Sequence, residues 1–141
     1  MTEIRLARPE DWDAAHACYR RNDYGGTMQP DDRPVVALLD GEVVGVVRLA
    51  PEHGHQLLRG MFIDEAHRRA GLGSRMLHAL ADEMADAPCW LVCGPHLIGF
   101  YGQIGFRLAH DEEAPPHLQE RVLRYRQVYG PQCLLRRPAA G

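Results

Sequence analysis

Two glycines and three arginines that follow an apolar run are the residues of this chain best suited to hold an anion. The run is Met61-Phe62-Ile63. Asp64-Glu65-Ala66-His67 follow it, and then Arg68-Arg69-Ala70-Gly71-Leu72-Gly73-Ser74-Arg75. The pattern predicts a strand that ends, a polar turn, and an amphipathic helix opened by glycine. The first N–H groups of such a helix have no intrahelical partner, and its dipole puts partial positive charge at that end. Glycine lets backbone approach a ligand closely and permits a concave array of N–H donors. Arg68, Arg69 and Arg75 add full charges, and guanidinium matches phosphate oxygens in a bidentate fork. The chemistry these residues could do is to bind a phosphate or pyrophosphate. Gly71 and Gly73 equally fit a plain strand-to-helix turn with a solvated arginine face, so the pair alone leaves both readings open. A dinucleotide fingerprint is rejected, because its third glycine would fall at Met76 and the segment lies mid-chain.

A second segment, Gly99-Phe100-Tyr101-Gly102-Gln103-Ile104-Gly105-Phe106, carries a tyrosine between glycines. Periodicity alone makes Tyr101 a core aromatic of a short helix. Glu52, His53 and His55 gather at a turn and are candidates for a general base, since an unperturbed histidine titrates near pH 6.5. The same His-x-His fits an ordinary solvated turn. It offers no third ligand at a suggestive spacing for zinc, so no metal is expected. The four cysteines, Cys18, Cys89, Cys93 and Cys133, are scattered. Cys89 and Cys93 share one face of a strand and read as small buried hydrophobes. All 16 basic residues are Arg, and Ser74 is the single Ser. Without Lys there is neither a GxxxxGK phosphate loop nor a Schiff-base nucleophile, and Ser74 does not sit in a GxSxG elbow.

The elements that must position these residues follow from hydropathy and turn chemistry. Residues 3–8 read as a strand, and Pro9 suits the first turn of a helix with Trp12, Ala15 and Tyr19 on its buried stripe. Residues 22–34 are a loop, with room for one helical turn. Val35–Leu39 and Val43–Leu49 flank Asp40-Gly41 and form a hairpin with a positive-φ turn. A turn near Glu52–His55 leads into a strand at Leu57–Ile63. The glycine-opened helix spans about 72–86, with Met76, Leu77, Leu80 and Met84 inward. Cys89–Cys93 is a wholly apolar strand covered on both faces. Leu97, Phe100, Tyr101 and Ile104 trace a short helix, and a strand follows near Phe106–Ala109. A helix from Pro115-Pro116 has Leu118, Val122 and Tyr125 on one side, and Gln132–Arg136 is the last strand. The order is β-α-β-β-β-α-β-α-β-α-β, an α/β (α+β) fold with a mixed, mostly antiparallel sheet of about six or seven strands and about four helices.

A chain of 141 residues and 15.9 kDa is expected to form a single domain over 1–141. With 45% hydrophobic and 25% charged residues it reads as globular. A formal charge of −3 and a pI near 6.2 argue against a nucleic-acid binder. The start lacks the apolar core of a signal peptide. The uncharged stretch from Ala87 to Phe106 is too rich in glycine and proline for a membrane span. A cytoplasmic location is expected, with no membrane partner.

Taken together, Arg68-Arg69-Ala70-Gly71-Leu72-Gly73 and Tyr101-Gly102-Gln103-Ile104-Gly105-Phe106 resemble the GNAT superfamily of N-acetyltransferases. They match its Q/R-x-x-G-x-G/A and Y-x-x-x-G-F patterns in order, spacing and element context. The resemblance implies acetyl-coenzyme A, or another acyl-CoA, as co-substrate. It implies a pyrophosphate on the backbone of Arg68, Arg69, Ala70, Gly71, Leu72, Gly73 and Ser74. The pantetheine arm would lie along Met61, Phe62 and Ile63, where the central strands splay apart, and a backbone N–H near Phe62 or Ile63 would hold the oxyanion. Tyr101 takes the position of the general acid that protonates the leaving thiolate. Gly94-Pro95-His96 departs from the family, which often has an Asn there contacting the pantetheine arm. Tyr24 and Arg59 are candidate groups lining the acceptor pocket, and Arg59 would suit an acceptor carboxylate. The expected function is transfer of an acetyl group to a small-molecule primary amine; a homodimer is compatible with the resemblance. Two alternatives stand beside it: a non-catalytic acyl-CoA-binding regulatory module, and transfer to a protein or peptide amine with Asp111–Tyr129 as a recognition wall.

Overall fold

The computed structural model describes residues 1–139. Their chain divides into two compact units, Met1–Ala85 and one that starts at Asp86. The first unit contains β1 (Thr2–Leu6), α1 (Trp12–Arg21), β2 (Arg33–Leu39), β3 (Glu42–Glu52), β4 (His55–Ile63) and α2 (Leu72–Met84). Its strands lie in the order β1-β2-β3-β4, each pair antiparallel. The β-branched runs of β2 and β3 meet across Asp40 and Gly41, whose φ values of 50° and 86° make the tight hairpin expected of Asp-Gly. Along β3, Val43–Ala50 is buried without interruption, as a strand covered by helices on both faces should be; α1 and α2 both pack on it.

The second unit contains β5 (Cys89–Cys93), α3 (Ile98–Gly102), β6 (Arg107–Ala109), α4 (Pro116–Tyr129) and β7 (Cys133–Arg137). Its strands run β5-β7-β6, again antiparallel. Leu118 and Val122 of α4 are fully buried, whereas Tyr125 one turn on is only half-buried. The described residues thus form seven strands and four α-helices in the element order that the sequence predicts.

The differences are local. Pro9 starts a 3-10 turn over Pro9–Asp11, and the α-helix proper begins at Trp12. Trp12 is only half-buried; Cys18 joins Ala15 and Tyr19 on the buried stripe instead. Strands β3 and β4 extend to Glu52 and His55, because His53 and Gly54 (φ 50° and 79°) close a second two-residue turn. Loop 22–32 has turns but no helical turn. Helix α2 stops at Met84, since Ala85 swings to φ 53°.

Candidate active site

Strand β4 delivers the chain to the predicted anion site and is irregular on the way. Val46 pairs with Phe62 and Arg48 with Arg59, so Gly60 and Met61 together oppose the single residue Val47. Gly60 has φ +65°, and this is a β-bulge with glycine in the left-handed position. A Cβ on Gly60 would collide with the Arg48 guanidinium and lie 2.5 Å from the Tyr19 hydroxyl, so the position accepts only glycine.

Beyond Ile63 the backbone turns through Glu65–His67 and enters α2 by way of Arg69 (φ 73°) and Gly71 (φ 79°), both left-handed. Gly71 caps the helix without a side-chain bond, and a Cβ there would meet nothing within 4 Å. The Arg68 N–H bonds to the Glu65 carbonyl at 3.3 Å, and the next N–H with an acceptor is that of Arg75, bonded to the Gly71 carbonyl at 3.3 Å. Between them, the N–H groups of residues 69–74 have no acceptor among the described residues. The two left-handed residues, Arg69 and Gly71, bend the chain just before the helix, so these N–H groups lie at the positive end of a helix dipole, the kind of turn that can form an anion-binding cradle. The cradle fits a diphosphate, which supplies many acceptor oxygens at once.

The arginines of the segment divide their roles. Arg68 donates from Nε to the Ile63 carbonyl (2.9 Å) and from Nη2 to Asn22 Oδ1 (2.9 Å), so it ties the loop to the end of α1. Asp64 completes the tie, accepting from Arg21 (2.9 Å) and from Asn22 Nδ2 (3.1 Å). Burial pushes the Asp64 carboxyl up, but the Arg21 and Asn22 bonds outweigh it and hold the group below the usual carboxylate range. Asp64 in turn faces Cys18, whose thiol is raised to about 12 by burial and then by that carboxylate. Arg21, Asn22, Asp64 and Arg68 line a cleft of about 370 Å³. Arg69 and Arg75 are exposed.

On the same α1-facing side of β4, Phe62 stacks on Tyr24 with ring centroids 4.8 Å apart, and Tyr24 meets Tyr19 edge-on at 4.7 Å. Tyr24, on the loop after α1, therefore stands beside Phe62. Arg59 forms an ion pair with Glu52 at 3.1 Å, so one base candidate is already engaged by a cation. His53 is exposed at the corner of the β3–β4 turn and His55 half-buried beside it.

Sequence reasoning missed the most buried charge in the molecule. Arg48, 2% exposed, donates from Nε to Asp32 Oδ2 at 3.0 Å and from Nη1 to the Tyr19 hydroxyl at 3.1 Å. Its guanidinium lies 5.5 Å from the ring centroids of both Tyr19 and Tyr24. Burial and this arginine act in opposite directions on Tyr19; burial prevails and raises the phenol above its ordinary value. The signal was present in the sequence: a lone Arg within Val46-Val47-Arg48-Leu49-Ala50, an otherwise apolar strand.

Tyr101 belongs to the second unit. It is 6% exposed on α3, with Phe100 at 5.1 Å and Phe106 at 6.2 Å between ring centroids. Its hydroxyl has no hydrogen-bond partner among the described residues. Burial, then the neighbouring Cys93, raise its pKa above the phenol range. All four cysteines are buried and free of disulfides, and Cys93 opposes Cys133 across β5 and β7.

The model of the Acetyltransferase (GNAT) family matches residues 1–106. Among solved structures, the ribosomal-protein-S18-alanine N-acetyltransferase of Escherichia coli superposes with a TM-score of 0.71 at 17% identity, covering 100% of this chain and 97% of that one. The N-acetylglutamate synthase of Neisseria gonorrhoeae, complexed with coenzyme A and N-acetyl-glutamate, gives 0.72 at 16% identity over 100% of this chain and 36% of that one. An aminoglycoside 6'-N-acetyltransferase complexed with coenzyme A gives 0.66 at 16% identity over 95% of each chain. No curated protein sequence matches the chain.

Proposed function

Since the chain belongs to the GNAT acetyltransferase family, we propose that it transfers an acetyl group from acetyl-coenzyme A to the primary amine of a small molecule. The observation that carries the reading is the run of N–H groups at residues 69–74 without an acceptor, a cradle shaped for the diphosphate of the donor. Arg69 and Arg75 supply charge around it, and the extended arm of the donor lies in this reading along Met61, Phe62 and Ile63 and bonds as an added strand does.

The chemistry needs little from the protein beyond placement. The neutral amine attacks the thioester carbonyl, a C–N bond forms, and the C–S bond breaks. A backbone N–H near Phe62 or Ile63 stabilises the oxyanion, a contribution of roughly 3–4 kcal/mol. Tyr101 gives its proton to the departing thiolate, and the amine's proton leaves to water or to a base around Glu52, His53 and His55. Holding both reactants side by side supplies much of the rest. A metabolite donor of this kind suits a cytoplasmic enzyme.

The test is a thermal-shift titration with acetyl-coenzyme A, followed by an amine screen that measures release of free thiol. Selective binding to the native state raises Tm by mass action. No shift at millimolar donor would overturn the reading. A shift without thiol release across the screen would point instead to a non-catalytic binding module.

A further inference from the structure

Resting on the acetyl-transfer reading, we propose that Asn22 is a positioning residue that couples the donor cradle to the loop over residues 22–32, so that filling the cradle orders the loop that carries Tyr24. The Asn22 carboxamide has each of its polar groups engaged. Its Nδ2 donates to the Cys18 carbonyl at 2.8 Å and to Asp64 Oδ1 at 3.1 Å, and its Oδ1 accepts from Arg68 Nη2 at 2.9 Å. A carboxamide offers two donors and an acceptor together, which a carboxylate does not. An aspartate here would face Asp64 with a like charge and would leave the Cys18 carbonyl without its side-chain donor.

The partners of Asn22 belong to different parts of the site. Cys18 lies on α1, and Asn22 caps the C-terminus of that helix. Asp64 and Arg68 flank the turn Glu65–His67 that leads from β4 to the cradle, and Arg68 directly precedes the first cradle N–H. That turn is itself held to the sheet. The Asp64 N–H bonds to the Val44 carbonyl at 2.8 Å, and Arg68 Nε to the Ile63 carbonyl at 2.9 Å. At Asn22 this network passes from the cradle to the loop.

The loop has few bonds of its own. The Tyr24 N–H bonds to the Tyr19 carbonyl at 3.0 Å, and the next bonded N–H is that of Gln29, to Asp32 at 2.9 Å. Residues 25–28 between them make no backbone hydrogen bond among the described residues, and two of the four are glycine. Packing holds this stretch instead. Gly26 lies so close to the Tyr24 ring that a Cβ would come within 2.2 Å of it, and Met28, 5% exposed, joins the cluster against which Tyr24 and Phe62 pack. Phe62, stacked on Tyr24, belongs to the stretch assigned to the donor's arm. A segment with so few hydrogen bonds sits at the low end of local stability. A diphosphate on the N–H groups of residues 69–74 immobilises the turn, and with it Arg68 and Asp64. Asn22 then starts the loop from a fixed point, and the loop has less freedom left to lose on ordering.

The experiment is hydrogen–deuterium exchange of the whole chain with and without saturating acetyl-coenzyme A, beside a thermal-shift titration of the donor. In the unaltered protein, the amides of residues 23–28 are expected to exchange about 5- to 150-fold more slowly with donor bound, the usual range of coupling between two sites. Asn22→Ala is expected to bind the donor, as the thermal shift reports, and to keep the protection at residues 69–74 while losing the slowing at 23–28. A purely structural Asn22 would lower Tm with and without donor and leave that slowing in place. Because Asn22 caps α1, Arg68→Met cuts the same tie from the other side without touching the helix, and it too is expected to lose the slowing. Protection of residues 69–74 by donor with none at 23–28 in the unaltered protein would overturn the coupling and leave acetyl transfer intact. So would a slowing that survives in both variants. Absence of any thermal shift in the unaltered protein is a different result, which strikes the acetyl-transfer reading and this inference with it.

Discussion

Tyr101 shows how one side chain can satisfy two readings. Its ring packs between Phe100 and Phe106 as a core aromatic, and its hydroxyl has no hydrogen-bond partner among the described residues, which leaves it open to donate in the proposed reaction. Tyr101→Phe keeps the packing and removes the proton. We expect kcat to fall by about 10²- to 10⁴-fold, the usual worth of a positioned acid, with donor affinity retained in the thermal-shift titration. The raised pKa adds a second expectation. A group that holds its proton more tightly stays protonated to higher pH, so Tyr101 should cause no alkaline loss of kcat below about pH 10, the ordinary phenol value. A pH–rate profile falling between neutrality and that value would assign the acid elsewhere. The arginines carry the opposite lesson. Arg68 lay in the motif, and its type and spacing were legible, but its guanidinium is used to hold Asn22 and the Ile63 carbonyl. Rotamers follow from neighbours that are remote in sequence.

At the scale of elements, two glycines with similar φ values have different reasons to be glycine. Gly71 sits in open space, so Gly71→Ala bears only the left-handed backbone penalty of about 1–2 kcal/mol. Gly60→Ala adds a collision with Arg48 and Tyr19 to a similar penalty, and overpacking of that kind costs about 1–3 kcal/mol more. Urea denaturation of the two variants should rank Gly60→Ala clearly lower in stability. A reversed ranking would mean that the bulge relaxes freely. The hairpin at Asp40-Gly41, the inward face of α2 and the strand at Cys89–Cys93 were all legible, because each is encoded by local turn chemistry or periodicity. The bulge was not. A bulge is a mismatch between two strands, and neither strand's own sequence counts residues against its partner.

For the molecule as a whole, carboxylates held by arginines make stability depend on pH. Hydrogen bonding from Arg5 and from the Arg8 backbone keeps Asp11 below the usual carboxylate value despite some burial, and Arg126 does the same for Asp111. A depressed folded-state pKa means that the unfolded chain binds protons first as pH falls. The stabilisation is therefore complete above the unfolded value near 3.9 and is lost as pH drops through the lower folded value. Calorimetry should show Tm level above about pH 5 and falling steeply below about pH 4. Asp11→Asn, which cannot titrate, should lower Tm at neutral pH and make the fall shallower. A Tm insensitive to acid down to pH 3 would contradict these pairings.

The residues that open α2, the tyrosine of α3 and the order of the elements were determined by sequence alone, since turn propensity, helical period and orphaned N–H groups are properties of contiguous chain. The buried cluster around Arg48 was decided by folding. Arg48, Asp32, Tyr19, Tyr24 and Gly60 come from two strands, a helix and a loop, and nothing in their spacing announces that they meet. What joins them is the need to cover a guanidinium once β3 has carried it inside.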